Sequence, residues 1–224
     1  MRNVIQIAGI HDLAEAELLI GVGVGYLGFP LRLPHGGEDL TETTARDVVK
    51  AIGPRAHAVV ITYLDEAAAI AELTESIGAR WVQLHGPIAI PELTRLRADM
   101  PGLHVIKSLV VRDDDAAPLI EEVNRVGSLV DAFITDTYDH ETGRSGATGK
   151  VHPWSVSRTL VMSSPKPVIL AGGLTPANVA AAILGARPAG VDSHTGVEGS
   201  DGRKDPELVK AFVENAQRAF GALR

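Results

Sequence analysis

Pro167-Val168-Ile169-Leu170-Ala171-Gly172-Gly173-Leu174-Thr175-Pro176 is the stretch whose reading decides the fold. Its first part, Pro167–Ala171, is almost wholly apolar, as a strand buried on both faces of a parallel sheet must be. Two glycines then turn the chain. Thr175-Pro176 reads as an N-cap followed by proline in the first helical position. Strand, tight turn and helix start make one βα unit.

Outward from this unit the pattern repeats in both directions. Strands are expected at Asn3–Ala8, Gly25–Pro30, Ala56–Thr62, Trp81–Leu84, Leu103–Leu109, Asp131–Asp136, Pro167–Ala171 and Gly190–Ser193. Helical stretches separate them. Asp65 precedes a stripe of Ala69, Ile70, Leu73 and Ile77, spaced for one helical face. Asp205-Pro206 repeats the cap-then-proline signal, and the helix after it should bury Leu208, Phe212, Ala216 and Phe220.

An eightfold βα alternation closes into a barrel or spreads as a doubly wound sheet. An open sheet usually carries a glycine-rich dinucleotide turn after its first strand, but here that strand ends Ala8-Gly9-Ile10-His11-Asp12. The glycines cluster after the sixth, seventh and eighth strands instead, near the usual phosphate site of closed barrels. A single (β/α)8 TIM barrel spanning residues 1–224 is therefore expected.

Composition narrows the function. The 224 residues are 45% hydrophobic and 22% charged, with net charge −7. No lysine or arginine cluster offers the positive stripe that nucleic acid needs, so no nucleic-acid partner is expected. No apolar run approaches a membrane span and no basic-then-apolar N-terminal signal appears, so neither membrane association nor export is expected, and a cytoplasmic location is. The absence of cysteine excludes disulfides, thiolate metal sites and a cysteine nucleophile. Nothing in the sequence fixes an oligomeric state.

Three segments suit an anion: Ala171-Gly172-Gly173-Leu174, Thr195-Gly196, and Ser145-Gly146-Ala147-Thr148-Gly149-Lys150. Glycine lets backbone amides approach an oxyanion, and a helix start adds partial positive charge. Each segment alone could simply turn strand into helix. Together on one barrel face they point to a phosphorylated small molecule, held by Gly149, Gly172, Gly173, Thr195 and Gly196.

These segments also carry a resemblance. Val82-Gln83-Leu84-His85-Gly86, Gly146-Ala147-Thr148-Gly149-Lys150, Ile169-Leu170-Ala171-Gly172-Gly173-Leu174-Thr175-Pro176-Ala177-Asn178-Val179 and Pro188-Ala189-Gly190-Val191-Asp192 closely resemble phosphoribosylanthranilate isomerase. Gly196-Val197-Glu198 and Gly202-Arg203-Lys204-Asp205 continue the likeness. The resemblance implies an Amadori rearrangement in the tryptophan pathway, an aminoaldose phosphate becoming an aminoketose phosphate without cofactor or metal. That chemistry needs an acid for the ring oxygen and a base for the sugar C2 proton. The resemblance assigns the acid to Asp136, whose other reading is a structural partner for the following loop. His85 and Asp192 are candidate substrate contacts, although a histidine at a strand end can simply fix a loop.

The first strand departs from the family. Its pattern there is Lys-Ile-Cys-Gly with cysteine as the base, whereas this chain reads Gln6-Ile7-Ala8-Gly9. Ala8 accepts no proton. His11, after strand one, and His194, after strand eight, should face the same mouth, and either is a candidate substitute base or a loop cap. A metal site from these histidines and an aspartate lacks a ligand-spacing motif, so no metal is expected. The longer second loop, Gly28-Phe29-Pro30-Leu31-Arg32-Leu33-Pro34-His35-Gly36-Gly37, offers Arg32 for a planar anion, in the region where the family keeps an arginine for the anthranilate carboxylate. His140, Arg144 and His152 are anion contacts or surface residues, and His152-Pro153-Trp154 alters a family pattern ending Asp-Trp. Three readings stay open: a diverged isomerase-like enzyme (an epimerase or lyase included), ordinary phosphoribosylanthranilate isomerase, and a non-catalytic phosphometabolite-binding barrel.

Overall fold

The structure, a computed structural model, describes residues 1–34, 39–139, 144–145 and 151–223. Among the described residues eight parallel strands alternate with α-helices. The strands are β1 Val4–Ala8, β2 Tyr26–Pro30, β3 His57–Thr62, β4 Trp81–Leu84, β5 His104–Val111, β6 Ala132–Asp139, β7 Val168–Leu170 and β8 Gly190–Ser193. The helices are α1 Leu13–Gly21, α2 Glu42–Ile52, α3 Ala67–Ile77, α4 Ile90–Asp99, α5 Ala117–Val126, α6 Trp154–Ser163, α7 Val179–Ala186 and α8 Pro206–Ala222. Each strand pairs with its sequence neighbour, and β1 also pairs with β8, which closes the sheet into a barrel. Arg144–Ser145 adds a short antiparallel pairing to the end of β6. No described helix is long and apolar enough to cross a membrane.

The barrel has two cores. The larger lies between strands and helices, with Ile7, Leu27, Phe29, Val60, Val105 and Phe133 facing outward onto helical residues such as Leu19, Ile70 and Phe212. The smaller fills the barrel itself with Val4, Ala8, Val59, Ile61, Trp81, Ile106, Ala132, Ile134, Ile169 and Ala171. Strand side chains alternate between faces, so every second residue belongs to one core or the other. The N-terminal end is plugged by rings from neighbouring strands: Trp81 stacks on His104 at 4.2 Å and meets Tyr26 edge-on at 5.4 Å. The opposite end is left for chemistry.

The expected strands all form, and β4 and β8 have the expected bounds. Helix starts differ more. Helix α3 is preceded by Glu66 rather than Asp65, with no side-chain cap bond, and it buries Ala67 and Thr74 beside Ile70, Leu73 and Ile77 while Ala69 is only partly covered. Thr175 does not cap α7: its carbonyl accepts from the amides of Asn178 and Val179, and the helix begins only at Val179. Asp205 does cap α8, accepting from the amides of Glu207 and Leu208. On that helix Leu208 is exposed, because the buried stripe runs Val209, Phe212, Val213, Ala216, Ala219 and Phe220.

Candidate active site

Two polar residues inside β1 and β4 begin the site. Gln6 and Gln83 share the inward parity of Val4 and Trp81, so their amides project into the barrel. An amide buried among apolar residues needs a partner. Gln6 Nε2 donates to Gln83 Oε1 at 3.1 Å, and Gln83 Nε2 donates to Ser108 Oγ at 3.3 Å. Ser108 Oγ lies 3.3 Å from His85 Nδ1, and having accepted a hydrogen bond from Gln83 it is set to donate its own hydrogen there. That assignment leaves the imidazole hydrogen on Nε2, which lies 3.1 Å from Asp136 Oδ2.

The chain of donors thus points across the barrel at one carboxylate. His85 Nε2 and Asp136 Oδ2 approach closely but lack the alignment of a hydrogen bond, and both are buried with no other partner. A buried polar atom left so costs roughly 1–3 kcal/mol until something satisfies it. The other Asp136 oxygen accepts from the Thr137 amide at 2.7 Å, which fixes the carboxylate at the end of β6.

Asp192 occupies the inward face of β8, with Gln6 as its register partner on β1. Burial pushes its carboxyl up to about 7, against the smaller opposing effect of a hydrogen bond from Gln6. Its Oδ1 has no partner. The residue is densely surrounded, yet unlike its neighbours in β8 it keeps an accessible surface.

The glycine turns lie around the same mouth. Gly172 and Gly173 adopt φ of +101° and +60°, the left-handed region that glycine tolerates. Asn178 holds this turn, its Oδ1 accepting from Thr175 N at 2.8 Å and its Nδ2 donating to Gly173 O at 2.9 Å. Ser193 Oγ donates to Leu174 O at 2.8 Å and fastens it to the end of β8. The turn's carbonyls at 173 and 174 are therefore satisfied, whereas the amides of Gly172, Gly173, Thr195 and Gly196 have no acceptor among the described residues. Gly149, with His140 and the rest of 146–150, lies outside the described residues.

The two histidines after β1 and β8 do face one another's neighbourhood. His11 Nε2 and His194 Nε2 lie 4.0 and 3.8 Å from the two oxygens of Asp39. His11 Nδ1 contacts Glu15 Oε2 at 3.1 Å, and His194 Nε2 lies 3.4 Å from Glu198 Oε1, which Lys204 Nζ holds at 2.6 Å. Burial, then Lys204 and His11, pushes His194 down to about 3. An imidazole that weakly basic is a poor proton acceptor at neutral pH, which bears against His194 of the two candidate histidines. Its ring is packed instead over Gly9, where a Cβ would lie 2.1 Å from Nε2.

Arg32 also departs from expectation. Its Nε donates to Glu42 Oε1 at 2.8 Å and its Nη1 to Glu72 Oε2 at 2.7 Å, so an incoming carboxylate would have to displace a glutamate. His152 is neither surface residue nor anion contact: it is buried, with Nδ1 2.8 Å from Thr137 Oγ1 and Nε2 2.6 Å from Ser157 Oγ. Gln6, Gln83 and Ser108 were not singled out as site residues from the sequence, although polar side chains at inward parity in buried strands are the signal. Among the described residues no three His, Asp or Glu side chains converge as a metal site requires.

The fold is that of a (β/α)8-barrel isomerase, with the His85–Asp136 pair at the C-terminal ends of the strands. The family model described as N-(5'phosphoribosyl)anthranilate (PRA) isomerase matches residues 6–215, so the chain belongs to that family. It is 35% identical over 221 residues to N-(5'-phosphoribosyl)anthranilate isomerase 2 of Methanosarcina mazei, covering 98% of this chain and 96% of that one. It superposes on the crystal structure of phosphoribosyl anthranilate isomerase from Thermotoga maritima with a TM-score of 0.82 at 26% identity, covering 96% and 99% of the two chains. A second solved phosphoribosyl anthranilate isomerase, in complex with reduced 1-(o-carboxyphenylamino)-1-deoxyribulose 5-phosphate, matches with a TM-score of 0.79 at 25% identity, covering 96% and 99%.

Proposed function

We propose that this barrel isomerises a phosphorylated pentose-derived amine by acid/base proton transfer, with N-(5'-phosphoribosyl)anthranilate as the reference substrate. The observation that carries this reading is the Asp136–His85 pair, whose facing atoms are buried, close and unsatisfied. A sugar ring oxygen brought up beside the pair would supply a missing partner and receive a proton from Asp136 as the ring opens. The acceptor-free amides of Gly172, Gly173, Thr195 and Gly196 suit the phosphate, because backbone donors hold an oxyanion without a lysine. The solved relative with a bound 5-phosphate analogue supports that use of the mouth.

The test follows the fluorescence change as N-(5'-phosphoribosyl)anthranilate is consumed. Asp136→Asn should lower kcat by about 10²- to 10⁴-fold, the usual worth of a positioned acid. A variant within about threefold of the parent, far short of that range, would remove Asp136 from the chemistry.

A second reading, a changed amine substituent, is favoured by Arg32. Its guanidinium is held by Glu42 and Glu72, so recognition of an anthranilate carboxylate there is weakened. Turnover of N-(5'-phosphoribosyl)aniline at least as fast as of the anthranilate supports it; a strong preference for the anthranilate refutes it. Binding of both amines without turnover of either would leave the binding-protein reading.

A further inference from the structure

Ala8 leaves the barrel without a proton acceptor at the family's position on β1, and the two histidines nearby are engaged by carboxylates, His11 by Glu15 and Asp39 and His194 by Glu198 and Asp39. The chemistry still has to remove a proton from sugar C2. We infer that Asp192 is the general base of this barrel, reaching substrate from the inward face of β8; the inference rests on the isomerase reading above.

Three features of geometry support it. Asp192 points into the barrel from β8 and retains an accessible surface, whereas Gln6 beside it has none. Its Oδ1 is buried and unpartnered, so that oxygen is neither ion-paired nor committed to a structural hydrogen bond. The residue above Gln6 on the inward face of β1 is Ala8, and Ala8 is paired with Gly28, where a Cβ would lie 2.9 Å from that of Ala8. Two minimal side chains stand there together, so β1 and β2 place no polar side chain above Gln6 to compete for the carboxylate; Ile61 Cδ1, 2.8 Å from that same Cβ position, packs against them.

The charges around Asp192 fit the role. Gln6 faces it from β1 as a neutral amide, in the position where the family's strand-one pattern has lysine. From β6, Asp136 disfavours its ionisation; His85 after β4 and Lys204 beyond β8 favour it less strongly than burial opposes it. From β7, Ile169 and Ala171 present only apolar surface. A carboxylate whose proton affinity lies near the operating pH is suited to remove a carbon-bound proton. With a neutral Gln6 in that position, β1 brings no cation to offset the burial that raises Asp192.

The step balances without a co-reactant. In the ring-opened iminium form the C2–H bond breaks and its proton passes to the Asp192 carboxylate. The electron pair of that bond forms C1=C2, and the C1=N π pair moves onto nitrogen to give a neutral enolamine. Tautomerisation then adds a proton at C1 and removes one from the C2 hydroxyl, giving the ketose and restoring the proton count.

The experiment measures kcat and KM from about pH 5 to 9, a range that brackets the ionisation of such a base. It compares the parent chain with Asp192→Asn and Gln6→Lys, each checked for folding by circular dichroism. Parent kcat/KM should rise with pH through a limb near pH about 7. Asp192→Asn should lose about 10²- to 10⁴-fold in kcat, with KM little changed and the limb gone. Gln6→Lys, which restores a cation beside Asp192, should move the limb down by about one pH unit or more. A raised KM with kcat and limb intact in Asp192→Asn would make Asp192 a substrate contact and overturn the assignment. So would an unmoved limb in Gln6→Lys. A parent chain inert toward both amines sinks the isomerase reading and takes this assignment with it; parent turnover that survives in Asp192→Asn sinks the assignment alone.

Discussion

At Gly172 a Cβ would lie 2.1 Å from Thr137 Oγ1 and 3.2 Å from His152 Nδ1, on a backbone already at φ +101°. Alanine there must twist the turn or push Thr137 away, and either moves the amides that face the mouth. Losing one or two charge-assisted hydrogen bonds, roughly 1.5–3 kcal/mol each, weakens an anion at least about tenfold. Calorimetric titration with inorganic phosphate should show that loss in Gly172→Ala; an unchanged Kd would mean the anion sits elsewhere. Single residues were unevenly legible in the sequence. Gly172 and Gly173 could be read as the turn between a strand and a helix, and both do adopt positive φ there. His152 could not, because its environment is set by Thr137 and Ser157, which the sequence does not place beside it in advance. The pairing of Gln6 with Gln83 could not be read either, because only the closed barrel brings their amides together.

Helix α8 tests how well one element can be read. Phe212 is 0% exposed and Leu208 is 37% exposed, although the two are spaced for a common face. Phe212→Ala should therefore destabilise by about 3–5 kcal/mol, and Leu208→Ala by no more than about 0.5 kcal/mol. Equal losses in chemical denaturation would put Leu208 in the core and contradict the packing. The periodicity found the helix and its Asp205 cap correctly but rotated the buried stripe by one residue at its start. A pattern with a period of about 3.6 leaves that freedom wherever apolar residues adjoin, as Leu208 and Val209 do. The same weakness misplaced the start of α7. Thr175 is a good cap residue, but the turn it opens is closed by its own carbonyl, and Asn178 satisfies the Thr175 amide from the other side. Strands were easier. Buried on both faces, they show as continuous apolar runs whose ends turn residues mark.

For the molecule as a whole, three buried titrating groups pull stability in opposite directions. Burial holds His152 at about 4 and His194 at about 3, so between about pH 4 and 6.5 both are neutral when folded and protonated when unfolded. The unfolded chain then binds two more protons through them, and stability falls as pH drops through that window. Asp192, raised to about 7, does the reverse: it is protonated when folded and ionised when unfolded, so its contribution is lost as pH rises from about 4 to 7. The net difference of one proton gives a slope of about 1.4 kcal/mol per pH unit. Asp192→Asn removes the opposing group and leaves a two-proton difference, about twice that slope. It also removes an ionised carboxylate from a buried site, a gain of up to a few kcal/mol at about pH 7.5. Urea denaturation at about pH 4.5, 5.5, 6.5 and 7.5 should show the Asp192→Asn variant more stable than the parent at the highest pH. On acidification the variant should then lose stability about twice as steeply as the parent, so that its advantage shrinks. A variant less stable than the parent at the highest pH would mean that Asp192 serves the fold. The expected gain is the mark of a side chain kept at a cost to folding, which only its chemistry explains.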